Sequence, residues 1–294
     1  MNWLNHYQKL VEKRKLDIPE GYSEKHHIFP TCKGGLNVSE NKVRLTAREH
    51  LIAHLVSEAT SEEIEDLWLY LFRNRLILCK ESLSRQDPMV YREIFQDNWY
   101  RITKEEISGK TVLDVGANVG MFAVLCLDFG AIRVISVEAQ PTIFKTLLTN
   151  TSVFPQVIAV NAAVMDSDGQ IVHIPNNSAN SQIGDEGEPV KTISLAILVS
   201  EHSIEKDSIL KIDVEGAEYD ILPDCEPDIL RLFSIIHIEI HTGIHNKYGK
   251  SIDVIHDKLH SAGFESISNF ALCDGDFYGV WQPTGVFIET WRRN

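Results

Sequence analysis

Over the last two-thirds of the chain, short β-branched runs alternate with stretches of helical length. TVLDV at 111–115, VISVE at 134–138, VIAVNAAV at 157–164, ILKID at 209–213 and IIHIEIH at 235–241 are the runs. Most carry apolar residues at consecutive positions, the pattern of a strand buried on both faces. Between them, GMFAVLCLDFG at 120–130 and TIFKTLLTN at 142–150 read as helices. Strands alternating with helices predict an α/β fold on a parallel sheet. The stretch 266–290 reads as two further strands about a turn at Asp274 to Asp276, an antiparallel pair for the sheet edge.

The first third has a different texture. Residues 23–58 are turn-rich, then helical. Thr46 and Glu49 form a capping box that starts a helix near Ala47, and Thr60 with Glu63 forms another. Ile64, Leu67, Trp68, Leu71 and Phe72 follow at helical spacing and predict a helix. Asp87 as cap and Pro88 at the first position predict a short helix over QDPMVYREIFQD. The change of texture places a boundary near residue 86, giving domains 1–86 and 87–294.

Charge sharpens this division. The net charge is −14. Residues 1–100 hold 14 Lys+Arg against 15 Asp+Glu, and the remainder 14 against 27. So acidic a second domain is a poor match for a polyphosphate chain. Five widely spaced cysteines without a CxxC argue for reduced thiols, against a disulfide framework or a cysteine zinc site. No apolar run has the length of a membrane span, and the start lacks an apolar leader, so a cytoplasmic setting without membrane partners is expected.

The first candidate chemistry lies in KHHIFPTCKGG, 25–35. His50 and His54 are four apart on the expected helix and share a face. With His26 from the preceding hairpin they make a three-imidazole set with an open position, suited to zinc or a similar divalent ion. His27 points away from His26 in an extended doublet and is free to act as a base. Asn41 lies in the connecting loop. In this order the residues resemble the HNH (ββα-metal) nuclease family over about residues 22–58. The resemblance implies that His27 activates water, Asn41 orients it, and His26, His50 and His54 hold the metal. DNA is then the expected partner of this module. A non-cleaving binding module is the alternative.

The second lies in LDVGANVG. Gly116 and Gly120, with Asn118 between, form a glycine turn from strand to helix, a place where backbone approaches a nucleotide-like ligand. Glu138 ends the next strand, 22 residues after Gly116, where a carboxylate can accept from two ribose hydroxyls. No Walker lysine follows the glycines. In LKIDVEGAEYDIL, Asp213 stands at the carboxyl end of its strand, facing the ligand crevice of an α/β sheet. Lys211 reads as an orienting group or a strand-edge charge, and Glu218 as a neighbour of Glu215, a solvated helix-face charge or an N-terminal cap charge.

TVLDVGANVGMFAV, VISVEAQP and above all LKIDVEGAEYDIL resemble the FkbM family of S-adenosylmethionine-dependent methyltransferases, over about residues 108–270. The resemblance implies a seven-stranded Rossmann-like sheet with helices on both faces, and S-adenosylmethionine held by Asp114, Gly116, Asn118, Gly120, Glu138 and Asp213. It implies methyl transfer to a hydroxyl of a small molecule or glycan. Asp213 would stand nearest the methyl group by analogy; His241 is the candidate base or else a satisfied strand-end histidine, and Lys211 and Glu215 are candidate orienting groups. The glycines, acids and proline of residues 178–195 read as a loop that covers the acceptor or as an ordinary surface excursion. The rival reading is a nuclease with an accessory methyltransferase-like domain.

Overall fold

A computed structural model of the chain describes residues 92–175, 186–242, 249–273 and 283–294, with strand segments 24–27, 42–45, 67–72 and 75–80 nearer the start. The chain forms two compact units, residues 1–69 with 80–82, and residues 70–79 with 83–294. Among the described residues no helix is long and apolar enough to cross a membrane.

In the first unit, β1 (Glu24–His27) pairs antiparallel with β2 (Lys42–Leu45), setting His26 opposite Val43 and His27 opposite Lys42. Asn41, His50, His54 and both capping boxes of this region lie outside the described residues.

The helix expected through Leu67, Trp68, Leu71 and Phe72 is corrected. β3 (Leu67–Phe72) and β4 (Arg75–Lys80) form a two-stranded sheet. LWLYLF is an almost unbroken apolar run, which satisfies a strand period as well as a helical one, and its aromatic residues favour the pleated form. Of the helix expected after Pro88, the described part is a π-helical turn at Arg92–Gln96; Asp87 and Pro88 lie outside the described residues.

The second unit continues with α1 (Lys104–Ile107), closed by a capping box of Thr103 and Glu106. Then come β5 (Thr111–Val115), α2 (Met121–Asp128), β6 (Arg133–Glu138), α3 (Pro141–Thr151), β7 (Val157–Asn161), β8 (Ala163–Val164), β9 (Ile171–Ile174) and β10 (Glu188–Ile193). The chain goes on through α4 (Leu195–Glu201), β11 (Ser208–Ile212), α5 (Glu218–Asp224), α6 (Pro227–Leu230), β12 (Phe233–His241), α7 (Asp253–Ser261), β13 (Phe264–Cys273) and β14 (Pro283–Arg293). The main sheet has seven strands in the order β13-β14-β12-β11-β5-β6-β7. β12, β11, β5, β6 and β7 run parallel, while β14 is antiparallel to both β12 and β13.

Both faces of the central strands are buried. Leu113, Val115, Leu210 and Ile212 join one core with Leu198 of α4, Leu222 of α5 and Leu259 of α7. Val112 and Asp114 alternate with them and are fully buried as well, on the face that α2 covers with Met121, Phe122 and Cys126. Helices therefore cover both sides, as in a Rossmann-like sheet. Each fully buried Leu, Ile or Val stabilises the fold by about 1.5–3 kcal/mol relative to exposure.

Within the stretch 178–195, residues 188–193 are strand β10, which pairs with β9 and β8 in a small separate sheet. Residues 178–185 lie outside the described residues.

Candidate active site

β5 ends at Val115 and the chain turns through Gly116 to Gly120 into α2. Gly116 has φ +78°, and a Cβ there would overlap the backbone carbonyl oxygen of Asp213, so glycine is required. The N–H groups of Gly116 and Ala117 both reach the Val137 carbonyl at 2.9 Å. Glu138 at the end of β6 closes the turn from the other side. Its Oε2 accepts the Asn118 N–H at 2.9 Å and its Oε1 the Gln140 N–H at 2.8 Å. Burial raises its pKa to about 7 in spite of these two donors. A carboxylate has about four acceptor sites, so the side chain can still receive ligand hydroxyls. Gly116, Asn118, Gly120 and Glu138 are thus brought together.

Asp114 is placed differently from expectation. It is fully buried, with no hydrogen-bond partner for either oxygen among the described residues. Its neighbour in register on β11 is Lys211, whose Nζ lies 3.3 Å from Asp114 Oδ1, close enough for an ion pair. The side chain is thus a buried partner of the Lys211 ammonium. Lys211 is not a strand-edge charge either, because β11 lies between β5 and β12. Its Nζ donates to the Gly116 carbonyl at 2.7 Å and lies 3.2 Å from Asp213 Oδ2. Burial works to lower its pKa, but Asp213 and Asp114 outweigh that and raise it, so the ammonium is retained.

Asp213 follows β11, with its N–H on the Val115 carbonyl at 3.0 Å. Glu215 adopts φ +51° in the turn that follows. Glu218 is fully buried, which overturns the solvated helix-face alternative. One of its oxygens accepts the Gly216 N–H at 2.9 Å, and the other accepts the His241 N–H at 2.7 Å and faces His241 Nδ1 at 3.2 Å. His241 Nε2 lies 3.4 Å from Glu215 and 3.7 Å from Glu239. Burial works to lower the histidine pKa, but Glu215, Glu218 and Glu239 raise it to about 11. The three carboxylates thus favour the imidazolium form of the ring.

Tyr100 is the residue that sequence reasoning missed. It is buried, and its hydroxyl reaches Asp213 Oδ2 at 2.9 Å and Glu239 Oε2 at 3.2 Å. Its ring packs edge-on against Phe122, with centroids 5.3 Å apart. Burial and then Asp213 raise the pKa of Glu239 well above the usual carboxylate range. Glu239, with a partly exposed carboxylate at the mouth of the site, was also not singled out as a base. The site thus gathers Lys211, Asp213, Glu215, Glu239, His241 and Tyr100 beside the glycine turn.

The histidines of the first module are not assembled by the described residues, among which no group of His, Cys, Asp and Glu has the geometry to hold a metal ion. His26 and His27 are fixed there only as neighbours on β1.

The Methyltransferase FkbM domain family matches residues 114–266. The hexuronic acid methyltransferase AglP of Haloferax volcanii is 31% identical over 153 residues, 50% of this chain and 63% of that protein. The 31-O-demethyl-FK506 methyltransferase FkbM of Streptomyces tacrolimicus is 28% identical over 191 residues, 50% of this chain and 74% of that protein. The N-terminal region is similar to the probable mobile endonuclease D of Enterobacteria phage T4, 52% identical over 59 residues, 18% of this chain and 23% of that protein. The chain spans less than two-thirds of the length of AglP and of the phage endonuclease.

Proposed function

The chain belongs to the FkbM methyltransferase domain family, and from that premise we propose that its second unit transfers a methyl group from S-adenosylmethionine to a hydroxyl oxygen of a small molecule or glycan. The observation that carries this reading is Lys211, whose Nζ bonds the Gly116 carbonyl and lies 3.2 Å from Asp213, joining the glycine turn to the reacting side of the crevice. The residues suit the ligand: the turn admits close approach, and Glu138 keeps acceptor sites for ribose hydroxyls.

Bound S-adenosylmethionine supplies an electrophilic methyl group on a sulfonium. The chain has to align the acceptor and remove its proton. Asp213 sets negative charge beside the crevice, where it favours a cationic centre. Glu239 takes the proton of the acceptor hydroxyl as that oxygen gains the methyl group. Burial raises its pKa, and His241, whose Nε2 lies 3.7 Å away, works against that toward the ionised form that accepts a proton. His241 holds Glu215 and Glu239 as a fixed cation. The 31-O-demethyl-FK506 named for FkbM supports an oxygen acceptor and the hexuronic acid named for AglP a sugar-derived one, and the absence of Asn/Asp-Pro-Pro-Tyr/Phe, a signature of base methylation, agrees with both.

Calorimetric titration with S-adenosylmethionine tests the reading. The chain is expected to bind it, and Glu138→Ala to weaken binding by at least tenfold. A chain that binds none refutes the proposal.

The N-terminal similarity to a phage endonuclease favours a second activity. In this reading His26, His50 and His54 hold a divalent ion such as zinc, His27 activates water, Asn41 orients it, and a DNA phosphodiester is cut. Plasmid nicking with zinc, magnesium, manganese or nickel is expected, lost in His27→Ala. Intact plasmid at high protein concentration, with a mobility shift of the same DNA, would replace it by a non-cleaving binding module.

A further inference from the structure

We propose that Tyr100 is a positioning residue of the methyl-transfer site, its hydroxyl gripping the Asp213 and Glu239 carboxylates together so that Glu239 faces the acceptor hydroxyl as the base; this rests on the methyl-transfer reading above.

Geometry is the first ground. One phenol oxygen lies 2.9 Å from Asp213 Oδ2 and 3.2 Å from Glu239 Oε2. Tyr100 is 4% exposed, whereas the Asp213 and Glu239 side chains are 28% and 18% exposed. The phenol is therefore buried while the two carboxylates it reaches stay partly exposed. Burial, then Asp213 and Glu239, raise the phenol pKa, so Tyr100 remains a donor.

The backbone is the second ground. Asn98 at φ +47° and Arg101 at φ +51° bracket Trp99 and Tyr100, a left-handed conformation on each side without glycine. Such backbone costs energy and persists only where its surroundings fix it. Asn98 supplies the fixing: its Nδ2 donates to the Ile102 carbonyl at 2.9 Å and its Oδ1 accepts the Ile102 N–H at 3.2 Å. The Arg101 N–H closes the turn on the Asn98 carbonyl at 2.7 Å. The ring then lodges against Phe122 and His237. Phenylalanine would satisfy that packing; the hydroxyl serves only the carboxylates.

The charged groups that act on Glu239 are Lys211 from β11, Asp213 and Glu215 from the segment after it, His241 on its own strand and Glu93 from the turn at 92–96. On β14 its partner in register is the apolar Ile288. Among these, Tyr100 is the neutral donor, and removing it disfavours the carboxylate form of Glu239.

The test is a carboxyl-carbon NMR titration of glutamate-labelled protein, with the Glu239 signal assigned by its loss in Glu239→Gln. Tyr100→Phe is expected to move the Glu239 midpoint up by about one pH unit. An unmoved or lowered midpoint in a folded variant overturns the proposal. Should that variant fail to fold by circular dichroism, 3-fluorotyrosine at position 100 keeps the ring and strengthens the donor. The midpoint then moves down, and an unmoved midpoint again overturns the proposal. Calorimetry on the wild-type chain separates the two readings. No binding of S-adenosylmethionine removes the methyl-transfer reading and this role with it, whereas binding with an unmoved titration removes the role of Tyr100 alone.

Discussion

The Glu218 carboxylate holds His241 twice with one oxygen, through the backbone N–H at 2.7 Å and the ring Nδ1 at 3.2 Å. Its other oxygen holds the Gly216 N–H at 2.9 Å. One fully buried side chain thus joins the turn after β11 to the end of β12. Glu218→Ala leaves a buried imidazolium short of a partner and two backbone donors unsatisfied. It is expected to lower the unfolding free energy by about 3–5 kcal/mol, read from urea denaturation. Glu218→Gln keeps an acceptor oxygen and should lose less.

His241 makes stability depend on pH on the alkaline side. Its pKa is about 11 in the fold against 6.5 for the free side chain. Between those values the folded chain holds a proton that the unfolded chain has released. The contribution is therefore full below pH 6.5 and declines as pH rises toward 11. Urea midpoints are expected to fall over that range, and the slope to flatten in His241→Asn.

Glu138 gives ligand binding its own pH dependence. With a pKa raised to about 7, it must lose its proton before it can play the ribose-binding part that the methyl-transfer reading gives it. The Kd for S-adenosylmethionine is expected to weaken by about tenfold per pH unit below about 7 and to level off above it. In Glu138→Gln the calorimetric profile should be flat and weak throughout.

Gly116 and Gly109 form a matched pair of probes. Both have positive φ, +78° and +76°. A Cβ at Gly109 meets nothing within 4 Å, whereas one at Gly116 runs into the Asp213 backbone. Gly109→Ala is expected to cost about 1–3 kcal/mol from strain alone and to leave S-adenosylmethionine binding unchanged. Gly116→Ala should cost more and abolish binding, measured by thermal unfolding and calorimetry.

The central strands were legible because a strand buried on both faces needs apolar side chains at consecutive positions, and β5, β11 and β12 have them. The added β13–β14 pair was legible for a related reason, two apolar runs about a polar turn. LWLYLF misled because its period fits both a helix and a strand, and pairing with β4 decided between them. The glycine turn could be read locally, since its strain is local. The state of His241 could not, because it is set by Glu215, Glu218 and Glu239 together. Tyr100 lies 113 residues from Asp213 in the chain and carries no motif, so only the folded sheet brings the two together.

β14 is the last strand in chain order, yet it lies inside the sheet, between β12 and β13. During synthesis β12 emerges with one edge open and waits while α7 and β13 are made. Its partner arrives only when residues 283–293 leave the ribosome. β12 carries Glu239 and His241, so this part of the candidate site is completed late, by the strand that follows β13. Pairing across so long a gap is slow to form. Until it does, the nascent chain exposes an unpaired edge that must be kept from other chains.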